Sequence, residues 1–165
     1  MNKNELTKRL AEWLKEFLAT KYSSEYDVEI LIPDSNFSKI ANEKLKKVDG
    51  YTSLDFHTDV LGILENRKSK TVQLVLLNRS LSAISLKEIG EMNCYSKLIN
   101  PKHSFLSSLK GLPEEVNLIL MNKELENKLL KISDDLSIVV FKWDEEKDKI
   151  DSISIFPISQ RKNIK

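Results

Sequence analysis

The sequence predicts an α/β domain built on a mixed central sheet with helices packed against it. Three observations predict it. Apolar residues recur at helical spacing near the start and again after residue 85, alternating or wholly apolar runs of strand length lie between them, and the two kinds of segment interleave along the chain. At 165 residues the chain can close one hydrophobic core without disulfides or structural metal. One domain is therefore expected over 1–165, with a core over 5–121, a C-terminal helix and β-hairpin over 122–157 and a frayed tail over 158–165.

Leu6, Leu10, Trp13, Leu14, Phe17 and Leu18 recur every three to four residues with Lys8, Glu12, Lys15 and Glu16 between them, which predicts an amphipathic opening helix. The period then changes to two: Tyr26, Val28 and Ile30 alternate with Asp27 and Glu29, and Pro33-Asp34 ends the strand. Residues 34–50 are polar and close on Asp49-Gly50, so they read as loop, short helix or both. Leu54, Phe56, Thr58 and Val60 alternate with Asp55, His57 and Asp59, which predicts a second strand. After a turn over Glu65 to Lys70, the branched run TVQLVLL is long enough only for a central strand buried on both faces.

Ser85 and Glu88 form a capping-box pattern that opens a helix with Leu86, Ile89, Met92 and Tyr95 on its apolar face, closed by Asn100-Pro101. A short strand over Ser104 to Ser107, a turn around Gly111 and a buried strand over Val116 to Met121 are expected next. Asn122 can cap a short helix carrying Leu125, Leu129 and Ile132. Two last strands, Leu136 to Trp143 and Ile150 to Phe156, are joined by the charged turn Asp144 to Lys149.

The totals exclude several classes. Twenty-six basic residues against 25 acidic ones leave no global electrostatic drive toward nucleic acid, so any such binding needs a local patch. The one cysteine, Cys94, allows neither an internal disulfide nor a cysteine-built zinc site, reads as an inert, partly buried thiol, and fits a reducing cytoplasm. No apolar run approaches a membrane span, and the opening MNKNELTKRL is too polar for a secretory signal. P-loop, GxGxxG, HExxH, GxSxG and CxxC patterns are absent from the sequence.

The segment from residue 54 to 99 carries a family likeness. Thr58-Asp59-Val60-Leu61-Gly62, a second strand about fifteen residues later, and Ile84-Ser85-Leu86-Lys87-Glu88-Ile89-Gly90 opening the next helix together resemble the core of the PD-(D/E)XK nuclease superfamily. The likeness covers roughly the first two-thirds of the chain and implies a restriction-endonuclease-like fold. In that family an Asp and a Glu hold Mg²⁺, and a Lys two residues after the Glu helps to generate hydroxide. Asp59 matches the family's Asp, but the positions for the Glu and Lys hold Leu76 and Asn78, or Gln73 and Val75 in another register. The likeness therefore implies a degenerate active site and a nucleic-acid-associated or scaffold subunit. The alternatives are an active Mg²⁺-dependent nuclease with a migrated carboxylate, and a plain oligomerisation protein.

Three sets of candidate site residues follow. Asp55, His57 and Asp59 share one face of the expected strand and offer nitrogen and oxygen to a cation. Spread over about 13 Å of strand, at most two of them reach one ion, and the plain reading is a solvated polar face. Glu91 is the candidate migrated carboxylate, at i and i+4 with Tyr95, where some exonuclease-like branches carry a Gln and a Tyr; Glu5 and Glu12 on the opening helix are weaker candidates. Lys44, Lys46, Lys47, Arg67, Lys68, Lys70 and Arg79 form two basic runs able to meet phosphates, or to serve as solvated faces. His103 is read as a loop residue, and Trp13 and Trp143 as core or dimer-interface anchors.

Overall fold

A computed structural model describes residues 1–164. It is a single-domain α/β structure in which six strands lie in sequence order in one mixed sheet. β1 (Tyr26–Leu31), β2 (Val60–Asn66) and β3 (Val72–Ser80) form an antiparallel meander. β4 (His103–Ser108) joins β3 in parallel after the crossover helix α2 (Leu86–Ile99), and β5 (Ile138–Asp144) joins β4 in parallel after α3 (Glu114–Met121) and α4 (Lys123–Leu130). β6 (Lys149–Phe156) closes the far edge antiparallel to β5, and α1 (Lys3–Tyr22) opens the chain.

Strand alternation divides the core into two layers. On one face Val60, Leu64, Val75, Leu77, Phe105, Val139 and Phe141 meet the α1 stripe of Leu6, Leu10, Leu14, Phe17 and Leu18. On the other, Leu61, Ile63, Leu74, Leu76, Leu106 and Val140 meet Ile89 and Met92 of α2, Val116 and Leu120 of α3 and Leu130 of α4. β3 feeds both layers, as its unbroken apolar run requires. Helix ends are fixed locally: Asn2 with Glu5 and Ser85 with Glu88 make capping boxes on α1 and α2, and the Asn122 side chain accepts from Glu124 and Leu125 N–H groups at the start of α4.

Several expectations need correction. Val116 to Met121 is helix α3, not a strand: only Val116 and Leu120, four residues apart, are buried, while Leu118 and Met121 are exposed. A short apolar run does not separate the two cases, and Pro113 followed by Glu114 and Glu115 is a helix start. The strand expected from residue 54 begins only at Val60. Residues 54–58 lie outside the sheet and carry no regular secondary structure, with the Phe37 and Ser38 N–H groups donating to the Phe56 and Leu54 carbonyls.

In the tail, residues 158–162 form a 3₁₀ turn, and Ile164 is buried in the α1 layer. Lys165, also assigned to that tail, lies outside the described residues. Arg161 in that turn donates to the Ile155 carbonyl at 3.1 Å and the Ile153 carbonyl at 2.6 Å along β6. Cys94 is exposed and not partly buried. Residues 34–53 fold as 3₁₀ turns, whose Phe37 and Leu45 plug the α2-side layer.

Gly62 faces Leu18 of α1. A Cβ there would lie 2.9 Å from Leu18 Cδ1 and 3.0 Å from Val75 Cβ, so a side chain at this position would crowd the layer between α1 and β2–β3. Gly62→Val should cost about 1–3 kcal/mol by overpacking, read as a lowered urea midpoint.

His103 is a strand residue and not a loop one. It opens β4 beneath α1, where its ring stacks on Phe105 and its Nε2 lies 2.6 Å from the Tyr22 hydroxyl. Burial, reinforced by the charges of Lys21 and Lys102, lowers its pKa to about 4. The neutral ring shares a hydrogen bond with the Tyr22 hydroxyl, its direction set by the tautomer, and a second ring proton would have to be held in this buried place. Because the unfolded chain takes up this proton near pH 6.5 and the folded chain only near 4, the contribution is complete above about 6.5 and is lost as pH falls between them. Urea unfolding should show about 2 kcal/mol of this loss between roughly pH 7.5 and 5, and His103→Phe should remove it.

Candidate functional site

The site grows from a bend that the alternating sequence pattern conceals. Phe56 packs in the α2-side layer, stacked on Phe37 and Tyr95, whereas Val60 packs in the α1-side layer. Residues of equal parity therefore change faces between positions 56 and 60. The turn-over is pinned at Thr58 and Asn78. The buried Thr58 hydroxyl donates to the Val60 carbonyl at 3.0 Å, and the Asp59 N–H donates to Asn78 Oδ1 at 3.1 Å. Asp59 is consequently delivered to the end of β3 beside the first turns of α1.

There its carboxylate meets cationic and N–H groups. Oδ2 accepts the Arg79 main-chain N–H at 2.9 Å; Oδ1 lies 3.4 Å from Arg79 Nη2 and 3.6 Å from His57 Nε2. The Asp59 and Arg79 side chains are 11% and 8% exposed, so the pair is largely withdrawn from water. Arg79 Nε donates to Thr7 Oγ1 at 2.7 Å. Burial draws the Arg79 pKa downward, and the Asp59 charge opposes that shift. The pair borders a cavity of about 340 Å³ lined also by Lys3, Asn4, Thr7 and Lys8 of α1, by Ile32 and Pro33 after β1, and by His57.

The structure brings together His57 and Asp59 but not Asp55, which points elsewhere and accepts from Asn36 Nδ2 at 2.7 Å. Among the described residues no group of three His, Cys, Asp or Glu side chains is arranged to hold a metal ion. Glu91 is exposed on α2, 3.8 Å from Lys87. Glu5 belongs to the α1 capping box, and Glu12 faces Arg9. Leu76, at the position where the likeness calls for Glu, pairs in register with Leu61 and is buried beneath α2.

Most of the basic runs are matched by acids. Lys44 pairs with Glu29, Lys46 with Glu43, Lys47 with Glu65 and Arg67 with Asp27, at 2.6–3.2 Å. Among the described residues Lys68 and Lys70 make no ion pair. Arg79, grouped with them on sequence, is instead an inward partner of Asp59. Thr7, Lys3 and Lys8 were not singled out from sequence. Thr7 had a readable signal, since it begins the buried helical stripe Thr7–Ala11–Leu14–Leu18 as its one polar member.

No protein-family model and no curated protein matches the chain. No helix among the described residues is long and apolar enough to cross a membrane.

A double-mutant cycle tests the buried pair. Arg79→Met strands a largely buried carboxylate and should cost about 3 kcal/mol, while Asp59→Asn with Arg79→Met should cost clearly less than the two single losses summed. Simple additivity in urea unfolding would show that the two charges do not sustain each other.

Proposed function

We propose that the chain is a catalytically inactive domain of nuclease-like fold that serves as a nucleic-acid-associated or scaffold subunit. The Arg79–Asp59 pair carries this reading. A metal-dependent phosphodiesterase needs a divalent cation beside this aspartate, and here a guanidinium occupies the carboxylate. Seating a cation would require displacing Arg79, and Asp59 is the one acid among the described residues that line this cavity, whereas Mg²⁺ binds through oxygen ligands in near-octahedral geometry. Leu76 and Asn78 supply neither the second acid nor the amine. The order α1, antiparallel β1–β3, crossover α2 and parallel β4 supports the restriction-endonuclease-like assignment. Association with nucleic acid is supported by the cationic lining of the same cavity, where Lys3, Lys8 and Arg79 face one carboxylate.

A scaffold role in which the chain pairs with another copy or another protein is favoured by a different surface. Met121, Ile153 and Ile158 are exposed around a cavity of about 430 Å³ between α3 and the C-terminal segment.

A plasmid-nicking assay with Mg²⁺ or Mn²⁺ separates the inactive from the active reading. No cleavage above background is expected, with Asp59→Ala indistinguishable from the unaltered chain. Metal-dependent cleavage that disappears in Asp59→Ala would overturn the proposal. Sedimentation combined with DNA titration at two salt concentrations separates the two roles, because phosphate contacts weaken steeply with salt.

A further inference from the structure

We propose that the cavity between the start of α1 and the end of β3 is a metal-independent receptor for a phosphate monoester, such as a free nucleotide or the phosphorylated end of a strand. The inference rests on the nucleic-acid reading above only for the source of the phosphate; the receptor itself follows from the cavity.

Four α1 residues, Lys3, Asn4, Thr7 and Lys8, lie at i, i+1, i+4 and i+5 and therefore line one wall. Arg79 stands at the base with its side chain 8% exposed. Thr7 and Asp59 engage its Nε and Nη2, and no hydrogen bond from Nη1 is made among the described residues. A guanidinium offers several donors in a planar fork suited to phosphate oxygens, so the unused end gives an oxyanion a fixed point of attachment. Asp59 neutralises one of three lining cations and leaves Lys3 and Lys8 to balance the second and third charges at the mouth.

The amides of the helix start are not what carries this. The Asn2–Glu5 capping box already takes the Glu5 N–H, and the Leu6 N–H goes to the Asn2 carbonyl. The cavity is also lined by the apolar Ile32 and Pro33, and Ile32 is 51% exposed. Such a flank suits the sugar or base that follows a phosphate better than a second phosphate. A free anion and a bulkier monoester should therefore bind differently, with the monoester favoured.

The test follows the Arg79 Nε–Hε resonance in ¹⁵N-edited NMR spectra at low salt while inorganic phosphate, thymidine monophosphate and thymidine are titrated separately. The monophosphate should move that resonance and bind more tightly than inorganic phosphate, and thymidine should leave it in place. Lys3→Ala with Lys8→Ala removes two outward lysines without touching the core and should weaken the monophosphate about tenfold. In parallel, a short single-stranded DNA carrying a 5′-phosphate is compared with its 5′-hydroxyl form. A preference for the phosphorylated strand identifies a strand end as the source, and equal binding of the two identifies the free nucleotide.

Failure of the monophosphate to shift Arg79, or indifference of its affinity to the two lysine changes, overturns the receptor. Salt-sensitive DNA binding that persists in that case would leave the nucleic-acid reading standing. Monophosphate binding with no DNA binding would sink that reading and keep the receptor.

Discussion

The antiparallel register of β2 on β3 is the constraint on which this molecule turns. With Val60 opposite Leu77 and Leu61 opposite Leu76, the residues just before β2 fall beside Asn78 and Arg79 at the end of the longest strand in the sheet. Asn78 then receives the Asp59 amide, and Arg79 receives its carboxylate. A slip of β2 by one residue would exchange its two faces while β3 kept its own, placing Leu61 and Ile63 against α1 and Val60 and Leu64 against α2. The packing that excludes that slip is the same packing that fixes the ion pair, so core and site are specified together.

Much of the architecture was readable from residues alone because it rests on local rules. The capping box at Ser85–Glu88 needs four residues, and the two-sided burial of β3 follows from the apolar run Leu74 to Leu77. What escaped depends on distant partners. Residues 54–60 alternate perfectly, yet the pattern spans a change of face, because Phe56 finds Phe37 and Tyr95 on one side and Val60 finds the α1 layer on the other. Alternation reports that neighbours point oppositely only while a strand continues. The apolar segment at 116–121 misled for a related reason: its composition fits a strand, and its burial is set by which turn of the helix meets the sheet.

The candidate site was half legible. Asp59 was found through its sequence context, but the chemistry around it is decided by side chains from α1 and β3, separated from it by 52 residues for Thr7 and 20 for Arg79. His103 escaped more narrowly: a strand is expected from Ser104, but nothing in Asn100-Pro101-Lys102-His103 announces that it begins one residue earlier, with the ring set beneath Phe17 and Tyr22. The bulk of the charged surface, by contrast, behaves as balanced composition suggests, with lysines and carboxylates matched across neighbouring segments.

Arg161 has a bearing on how the molecule meets others. By occupying the carbonyls of Ile153 and Ile155, its guanidinium fills acceptors on the outermost strand that an incoming chain would use to extend the sheet. Ser154 adds to this by turning its own hydroxyl inward, accepting from Lys142 and donating to the Asp151 carbonyl. That border is partly blunted against ribbon-like stacking, because two of its main-chain acceptors are already taken. What adheres at those two positions meets a guanidinium instead of bare carbonyls, which favours recognition of side groups over main-chain zippering.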